Sequence, residues 1–442
     1  MTIGIRAEDK NRWERRAPLT PDHVRELASE QGMKILVEPS TLRVFPDRDY
    51  REAGAELDSA LSAARVIFGV KEIPVEKLVA GKVYAFFPHV TKGQDYNMGM
   101  LRRILDLGCT LIDYEQVTDR RGRRLIFFGR HAGYAGMIDS LWALGQRLAA
   151  EGFVTPLEEI RLARQYADLE EALDHLSSVG DRIRHGGLPS GLRPIVTAFT
   201  GSGNVAQGAR EVYDRFPVQE IDPEELPGLD EDRDRPRNAI YRTVLDRGHR
   251  YQRADGGFDA AEFAEHPDRY RSALDELLPH LTMLIHGAYW EPPQPQLVRR
   301  DQLVALFDVE AQPKLRVIGD ITCDINGSIA STVRPTDSGD PVYVYDPAAG
   351  TDRPGVAGRG VVVMAVDNLP CELPVDASQH FGDGLVRFVG ALDRCDWSVP
   401  LEELALPGDL SRAVIAHRGR LAPQFAGLEA DLAAAGFPST QA

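Results

Sequence analysis

The chain has 442 residues, of which 43% are hydrophobic and 27% are charged, and its formal net charge is −16. A chain of this length exceeds one ordinary hydrophobic core, so we expect a globular protein of two or three domains. The acidic balance argues against nucleic acid or an anionic membrane surface as the main partner. The longest apolar runs have the length of a strand, which excludes a membrane-spanning helix.

The four cysteines lie far apart in the sequence, at Cys109, Cys323, Cys371 and Cys395. They form no CxxC pair, so the sequence predicts neither a metal site nor a disulfide framework. The first residues run directly into charged positions without the apolar region of a signal peptide. These features favour a cytoplasmic location.

The first third of the chain alternates between strand-like and helix-like runs. We predict strands at 2–5, 33–37, 66–70, 83–87 and 110–113, and helices near 49–53, 59–63, 75–79 and 97–107. A further helix opens at Thr20-Pro21, with threonine as the N-cap and proline in the first turn. Repeated strand–helix units predict a parallel sheet covered on both faces, and such sheets bind ligands beyond the carboxyl ends of their strands.

Ionisable side chains follow three consecutive predicted strands. Lys71 and Glu72 follow the strand 66–70, His89 follows 83–87, and Glu115 follows 110–113. If these strands pair in chain order, the four groups converge on one rim of the sheet. A single lysine or histidine in a loop usually faces solvent, but a cluster of titratable groups can relay protons near neutral pH. The pattern favours an acid–base site.

A glycine-rich turn joins the apolar run 195–200 to a helix-like run at 205–213. Its pattern Gly201-x-Gly203-x-x-Ala206 fits the dinucleotide-binding fingerprint, in which backbone N–H groups at a helix N-terminus bind the pyrophosphate. A strand at 218–221 ends at Asp222, about 20 residues after the first glycine, where the fingerprint expects an acid for the ribose. An ordinary strand–helix turn is the alternative, which this context disfavours. The predicted cofactor-binding residues here are Gly201, Ser202, Gly203, Asn204, Val205, Ala206 and Asp222.

The rest of the chain continues the alternation. We predict helices at 137–150, 168–176 and 377–392, a loop at 184–193, strands at 281–285, 315–318 and 361–366, and a helical tail that folds back on the first domain. The segment 251–270 is helix-prone, and the charged run 230–237 is expected to be a surface insertion. The role of the charged segment 223–280 is left open. Residues after the later strands are predicted to line the nicotinamide half of the cofactor site, namely Tyr289, Asp320, Asp324 and Leu369.

These patterns predict an α/β fold of two Rossmann-like, doubly wound parallel-sheet domains with an interdomain cleft. We place the domain junction at the start of the helix 137–150. Residues 1–135 with 393–442 would form the substrate domain, and residues 136–392 the dinucleotide-binding domain.

Several segments carry a family resemblance. The run from Arg6 to Pro21 resembles the opening of the alanine dehydrogenase, pyridine nucleotide transhydrogenase and saccharopine dehydrogenase superfamily. Other segments resemble the lysine–2-oxoglutarate reductase half of the bifunctional aminoadipate-semialdehyde synthases. They are Gly69-Val70-Lys71, Tyr84 to His89, Leu111 to Glu115, Phe128-Gly129, Ala132 to Met137, Gly201 to Val205, Tyr289-Trp290-Glu291 and Asp367 to Pro370.

The resemblance implies a reductase, expected to stand alone, that joins L-lysine and 2-oxoglutarate into saccharopine with a reduced nicotinamide cofactor. It implies acid–base roles for Lys71 and His89. It also implies substrate binding by further side chains, namely Arg16, Glu72, Glu115, Arg124 and Phe128. The arginines would hold substrate carboxylates, and the two glutamates would tune neighbouring pKa values. Asp324 falls where alanine dehydrogenases have an active-site aspartate.

Several alternatives stay open. Asp222 favours NADH, whereas the resemblance implies NADPH, so the expected cofactor is NADPH or NADH. The enzyme could instead be the NAD-dependent, lysine-forming saccharopine dehydrogenase, while an alanine dehydrogenase fits less well. From another class, a catalytically idle NAD(P)-binding subunit or sensor would keep the glycines without turnover. We expect small-molecule substrates and leave a homo-oligomer open.

Overall fold

The computed structural model describes residues 2–91, 93–229 and 236–437. Most of the predicted surface insertion, residues 230–235, lies outside the described residues. The chain divides into two compact units. Unit 1 comprises Met1–Phe128 and Pro374–Ala442, and unit 2 comprises Gly129–Leu373.

The N-terminal part of unit 1 alternates strands and helices, as the sequence predicts. The strands are β1 (Thr2–Ile5), β2 (Lys34–Val37), β3 (Glu56–Leu57), β4 (Val66–Phe68), β5 (Val83–Phe86) and β6 (Thr110–Asp113). The helices are α1 (Pro21–Gln31), α2 (Asp47–Glu52) and α3 (Asp95–Asp106). Thr20 is the N-cap of α1, as predicted.

Two predicted helices of this part are wrong. Residues 59–63 form a turn, because the Asp58 carboxylate accepts the N–H of Ala60 at 2.9 Å and Leu61 adopts a left-handed φ of +49°. Such a backbone angle cannot continue a right-handed helix. Within 75–79, only a single 3₁₀ turn forms, at Val75–Lys77.

Unit 2 contains two long helices before the first strand of its sheet and several shorter ones between the later strands. The helices are α4 (Gly129–Ala150), α5 (Leu169–Gly186), α6 (Asn204–Tyr213), α7 (Leu226–Leu229), α8 (Arg247–Arg250), α9 (Ala260–Glu265) and α10 (Arg300–Val309). The strands are β7 (Val196–Thr200), β8 (Val218–Glu220), β9 (Ile240–Leu245), β10 (Tyr251–Arg253), β11 (Tyr270–Ser272), β12 (Met283–His286), β13 (Val317–Asp320), β14 (Val342–Asp346), β15 (Thr351–Pro354) and β16 (Val361–Met364).

The prediction for unit 2 missed three strands of the main sheet, β9, β14 and β15. The helix-prone segment 251–270 is mostly not helical, since it holds β10, α9 and the start of β11. Helix α5 extends through the start of the predicted loop 184–193. Helix α4 begins eight residues before the predicted start at 137. Its first turns contain Gly133 and Gly136, and glycine is a poor helix former, so the sequence pattern predicted only the part of the helix from Met137 onward.

The C-terminal part returns to unit 1 with α11 (Pro374–Arg394), α12 (Gly408–Ser411), β17 (Val414–His417), β18 (Arg420–Leu421) and α13 (Leu428–Ala434). The predicted helical tail is therefore only partly correct. Strand β17 pairs antiparallel with β6, and β18 pairs antiparallel with β17. This pairing extends the sheet of the first unit, to which the sequence assigned the tail.

The sheet of unit 1 has the order β18-β17-β6-β5-β4-β1-β2-β3. Strands β1 to β6 are all parallel. Counted from the β3 edge of the sheet, their order is 3-2-1-4-5-6, which is the doubly wound Rossmann order. The direction of winding reverses between β1 and β4. In open α/β sheets, ligands bind outside the carboxyl ends of the strands at such a reversal.

The sheet of unit 2 has the order β15-β14-β16-β13-β12-β7-β9-β8. Alternate residues of its strands belong to two separate hydrophobic clusters. Val196 and Ala198 pack in one cluster, and Ile195 and Phe199 in the other. Because side chains alternate across a strand, the sheet is buried on both faces. Both units are thus Rossmann-like, which confirms the predicted fold class.

The predicted domain boundaries at 135/136 and 392/393 fall inside α4 and α11, whereas the compact units divide at the starts of these helices. The division of function between a substrate domain and a nucleotide domain stays a prediction.

Helices α4 and α6 approach so closely that side chains are excluded at two glycines. A Cβ atom at Gly208 would lie 2.2 Å from the carbonyl oxygen of Arg130, and one at Gly133 would lie 2.1 Å from that of Val205. Real Cβ atoms do not approach carbonyl oxygens this closely, so alanine at either position would push the helices apart.

We therefore expect Gly208→Ala to lower the free energy of unfolding by ~1–3 kcal/mol, the usual cost of overpacking. Urea denaturation followed by circular dichroism measures the change. Gly228→Ala in α7 is the matched control, because a Cβ there meets no atom within 4 Å. Equal stability of Gly208→Ala and the wild-type protein would contradict this account of the helix contact.

Candidate active site

The rim predicted from the strand ends is confirmed by the sheet. Strand β5 pairs in parallel with β4 on one side and with β6 on the other. The segments that follow these three strands therefore leave the sheet at the same edge. They carry Lys71 and Glu72, His89, and Glu115.

His89 and Glu72 form a hydrogen-bonded pair at this rim. The Nδ1 atom of His89 lies 2.6 Å from Oε1 of Glu72, and Nζ of Lys10 lies 3.3 Å from Oε2. Burial alone would raise the pKa of Glu72, but the hydrogen bond and charge of His89, with the charges of Lys10 and Lys71, lower that pKa to about 2. Glu72 is therefore a carboxylate at neutral pH. Its hydrogen bond fixes the orientation of the histidine ring.

The backbone of His89 is left-handed, with φ of +49°. This region is uncommon for a residue other than glycine and costs free energy. Strained residues of this kind concentrate at functional sites, so the angle supports a functional role for His89.

Lys71 lies in surroundings that disfavour its charged form. Burial lowers the pKa of its amine, and the positive charges of Arg16 and Lys10 lower it further, against the opposite effect of Glu72 and Glu14. A lysine with a lowered pKa exposes more of the neutral amine near neutral pH, which is the form that can accept a proton.

A buried carboxylate beneath Lys71 was missed by the sequence analysis. Glu8 accepts the backbone N–H of Val70 at 2.7 Å and that of Lys71 at 2.9 Å. Arg6 lies 3.6 Å from Glu8 and also pairs with Asp9 at 2.7 Å. These residues follow β1, which adjoins β4 in the sheet. One sequence feature could have indicated them: they directly follow the first strand, which lies beside the point where the strand order reverses.

Arg16 and Phe128 were both predicted to bind substrate, and the structure places them in contact. The guanidinium of Arg16 lies 4.3 Å from the centre of the Phe128 ring, which stacks on Phe381 at 4.7 Å. However, Arg16 is only 1% exposed, and its Nε and Nη2 atoms bond the Glu14 carboxylate at 2.8 and 2.6 Å. Its predicted role toward a substrate carboxylate stays a prediction.

Glu115 and Arg124 form an ion pair at the same rim, with Oε1 and Nη1 3.3 Å apart. The Arg124 side chain is 54% exposed, so it is more accessible to a solute than Arg16. Beneath the pair, buried Asp113 accepts the N–H of Glu115 at 2.8 Å, and burial raises the pKa of the Asp113 carboxyl to about 7.

The glycine turn of unit 2 has the geometry that a pyrophosphate needs. Gly201 has φ of +90°, and a Cβ there would lie 2.9 Å from the carbonyl oxygen of Gly287. A Cβ at Gly203 would meet no atom within 4 Å, which leaves space for a ligand to approach the backbone. Gly203 is the N-cap of α6, and buried Ala206 lies in its first turn. A turn of this shape at a helix N-terminus fits a dinucleotide.

The turn residues between and after the glycines differ in exposure. Ser202 and Asn204 are exposed, and Val205 is half-buried. The exposed stretch from Ser202 to Asn204 presents its backbone to solvent at the point where α6 begins. This accessibility is compatible with the predicted nucleotide contacts, which stay predictions.

The other predicted cofactor residues have different surroundings. Buried Asp320 accepts hydrogen bonds from the hydroxyls of Thr322 and Thr332, so its carboxylate already ties two loop segments together. Leu369 is a core residue. Three others are exposed, namely Asp222 after β8, Tyr289 after β12 and Asp324 after β13. Their cofactor roles stay predictions.

Several structural findings bear on other function classes. Within the described residues, no cluster of three or more histidine, cysteine or acidic side chains could hold a metal ion. No helix of the described chain is long and apolar enough to cross a membrane. The four cysteines form no disulfide in this structure.

Comparison with known proteins gives three kinds of match. Residues 4–135 match the family "Alanine dehydrogenase/PNT, N-terminal domain". The chain is 37% identical over 437 residues to the mitochondrial alpha-aminoadipic semialdehyde synthase of Bos taurus, which covers 96% of the chain and 47% of that protein. It is 37% identical over 439 residues to the synthase of Arabidopsis thaliana, covering 95% of the chain and 40% of that protein. The chain thus spans about half the length of these curated relatives or less.

A shorter relative matches along most of its length. The lysine-forming, NAD(+) saccharopine dehydrogenase of Yarrowia lipolytica is 28% identical over 397 residues, covering 87% of the chain and 90% of that protein. Among solved structures, an L-alanine dehydrogenase shares the fold with a TM-score of 0.62 and 20% identity, covering 98% of this chain and all of the other. A transhydrogenase from Sinorhizobium meliloti has a TM-score of 0.53 and 15% identity, covering 96% of this chain and all of the other.

The raised pKa of Asp113 predicts a dependence of stability on pH. The folded-state pKa of about 7 lies above the ordinary value of 3.8, so the folded protein binds this proton more tightly than the unfolded chain. The resulting stabilisation is complete below the ordinary pKa and is lost as the pH rises through 7. Asp113→Asn keeps an oxygen for the Glu115 N–H but cannot ionise.

Between pH 4 and pH 8, the wild-type protein should therefore lose up to ~4 kcal/mol of unfolding free energy relative to Asp113→Asn. Urea denaturation at both pH values measures the difference. Asp337→Asn serves as control, since exposed Asp337 also accepts a backbone N–H in a turn, that of Gly339. A difference that does not change with pH would show that Asp113 is ionised in the folded protein.

Proposed function

We propose that this chain, whose residues 4–135 match the family "Alanine dehydrogenase/PNT, N-terminal domain", is a lysine–2-oxoglutarate reductase. In the proposed reaction, L-lysine and 2-oxoglutarate condense and are reduced to saccharopine with NADPH or NADH. The identity to semialdehyde synthases over 96% of the chain supports the proposal.

One observation carries the proposal. At the carboxyl edge of the unit 1 sheet, a lysine of lowered pKa lies near a histidine that a carboxylate holds at 2.6 Å. Lys71, His89 and Glu72 thus supply a base, an acid and a fixed negative charge. Condensation of an amine with a keto acid needs an acid and a base together, because the amine must lose protons and the departing hydroxyl must gain one.

The proposed roles follow from these contacts. Neutral Lys71 accepts a proton from the substrate ammonium, which makes the substrate amine nucleophilic. The amine attacks the keto carbon to give a carbinolamine, and His89 donates a proton to the hydroxyl that leaves as water. Glu72, which is ionised at neutral pH, holds the imidazole ring in place throughout by its contact with Nδ1 of His89 at 2.6 Å. When bound, the nicotinamide cofactor supplies a hydride to the imine carbon.

Two further sets of residues complete the proposal. Arg124, with Arg16 beneath Phe128, would hold the carboxylates of 2-oxoglutarate through charge-assisted hydrogen bonds. The turn from Gly201 to Ala206 would hold the cofactor's pyrophosphate. A cytoplasmic location is retained as part of the proposal, although the mammalian relatives are named as mitochondrial.

The lysine-forming saccharopine dehydrogenase is a second candidate, because the chain covers 90% of that relative from Yarrowia lipolytica. It would use the same side chains in the opposite direction. An idle nucleotide-binding subunit is disfavoured, since a strained histidine paired with a carboxylate beside a lysine of lowered pKa has no purpose in nucleotide binding alone.

A direct assay tests the proposal. Oxidation of NADH and of NADPH is followed separately by absorbance, with 2-oxoglutarate and either L-lysine or other amines. We expect oxidation that requires both substrates and saccharopine as the product. Absence of oxidation with every amine, in the presence of bound nucleotide, would favour the idle subunit instead.

Lys71→Met and His89→Gln should each lower kcat by ~100-fold or more, the usual contribution of a general acid or base. Dissociation constants for the cofactor should change less than ~2-fold, because neither residue belongs to the glycine turn. Steady-state kinetics and calorimetric titration measure the two effects. Lys34→Met is the control, since Lys34 is an exposed lysine at the amino end of β2. Unchanged turnover in either variant would remove that residue from the mechanism.

Arg124→Ala should raise KM for 2-oxoglutarate by ~10-fold or more, because a charge-assisted hydrogen bond to a carboxylate is lost. KM for lysine should change much less. Arg123→Ala is the matched control, since the adjacent Arg123 is exposed and pairs with Asp119. If only the lysine KM rises, Arg124 does not bind the keto acid.

A further inference from the structure

Three neighbouring strands of the unit 2 sheet are each preceded by a basic side chain. Strands β13, β12 and β7 are adjacent and parallel. They begin three residues after Lys314, His280 and Arg193, respectively. Because parallel strands begin at the same edge of a sheet, these three residues lie together at the amino edge. The glycine turn follows the end of β7 and therefore lies at the opposite edge.

A cavity of about 390 Å³ opens at this amino edge. Its volume lies within the range of ~300–1,000 Å³ that is usual for small-molecule sites. All three of the basic side chains line it. Most of the other lining residues are apolar, namely Leu278, Pro279, Ala305, Leu306, Val309 and Pro313. An apolar cavity with a few polar groups is the usual form of a ligand-binding site.

One face of α10 forms a wall of this cavity. Gln302, Ala305, Leu306 and Val309 all line it, and their spacing of three, four and seven residues places them on the same side of a helix. Val309, at the end of this face, is 85% exposed. An apolar ligand along the helix would remove the surface of these side chains from water.

Two acids also line the cavity, and each lies beside an arginine. Oε2 of Glu310 accepts a hydrogen bond from Nη2 of Arg193 at 2.8 Å. Oδ1 of Asp275 lies 3.3 Å from Nη2 of Arg299. These ion pairs offset the negative charges, which would otherwise repel an anionic ligand.

The remaining basic groups of the lining favour a carboxylate. Lys314 is 1% exposed, so a ligand can reach it only from within the cavity. An ammonium group has three N–H donors, so Lys314 can bind a ligand carboxylate in addition to its interactions within the protein. His280 can supply a further N–H. Charge-assisted hydrogen bonds of this kind are stronger where water is excluded.

We propose that this cavity binds a small amphipathic carboxylate. The carboxylate group contacts Lys314, and an apolar body of about eight carbon atoms lies along α10. The site goes beyond the proposed reaction, because it lies at the opposite edge of the sheet from the glycine turn and requires no bound nucleotide.

Calorimetric titration of octanoate, 1-octanol and octylamine into the full chain tests the proposal without turnover. Octanoate should bind with a Kd of ~1 mM or lower, which is attainable for a ligand of about ten non-hydrogen atoms. It should bind at least ~10-fold more tightly than the alcohol or the amine, because only the carboxylate complements Lys314. Absence of octanoate binding, or tighter binding of octylamine, would overturn the proposal.

Ala305→Trp locates the site, because its larger side chain would fill the cavity. It should weaken octanoate binding at least ~10-fold, since the ligand then loses its contacts along α10. Ala305 is exposed, so the helix should tolerate the substitution. Ala264→Trp is the matched control, an exposed alanine of α9 that does not line the cavity. Equal octanoate binding by Ala305→Trp and the wild-type protein would place the ligand elsewhere and overturn the proposal.

Lys314→Met tests the charge, since methionine keeps an unbranched apolar side chain and removes the ammonium. It should weaken octanoate ~10-fold and change the affinity for 1-octanol less than ~2-fold. Thermal unfolding verifies that the variant is folded, and if it is not, Ala305→Trp and the three ligands decide. In a folded Lys314→Met protein, unchanged octanoate binding, or an equal loss of octanoate and 1-octanol, would overturn the assignment of a carboxylate.

Discussion

The buried carboxylate of Glu8 joins the end of β1 to the end of β4 by accepting the backbone N–H groups of Val70 and Lys71. These two strands adjoin where the winding of the unit 1 sheet reverses. Helical crossovers leave the sheet on opposite faces at such a point, so a crevice opens beyond the strand ends. The hydrogen bonds hold the backbone of Lys71 at this crevice, and the rest of the site is arranged around it.

Electrostatics at this rim depend on a balance between burial and close charges. Burial drives Lys71 toward its neutral form, and the neighbouring cations act in the same direction. Glu72 is also shielded, yet its contacts with His89 and Lys10 keep it ionised. One edge of the sheet thus holds an amine that loses its charge easily and a carboxylate that stays ionised. Acid–base chemistry requires two groups that differ in this way.

Unit 2 uses the same architecture with one change in strand order. Its six parallel strands follow the order 2-3-1-4-5-6 when numbered along the chain, whereas those of unit 1 follow 3-2-1-4-5-6. The exchange moves the acid after β8 to the sheet edge and brings the acid after β9 beside the glycine turn. A distance counted along the sequence therefore does not show which acid lies beside the glycine turn.

Local patterns in the sequence determined most strands of unit 1, the cap of α1 and the glycine turn, because each depends on residues close together in the chain. They also placed Lys71, Glu72 and His89 at strand ends, and parallel pairing in chain order then brought them together. Only the tertiary structure decided the start of α4, where Gly133, a poor helix former, packs against Val205 of α6. The tertiary structure alone also decided the position of β9 in the sheet and the contact of buried Glu8 with the backbone N–H of Lys71. These features depend on contacts between residues that are distant in sequence, and no local propensity records such contacts.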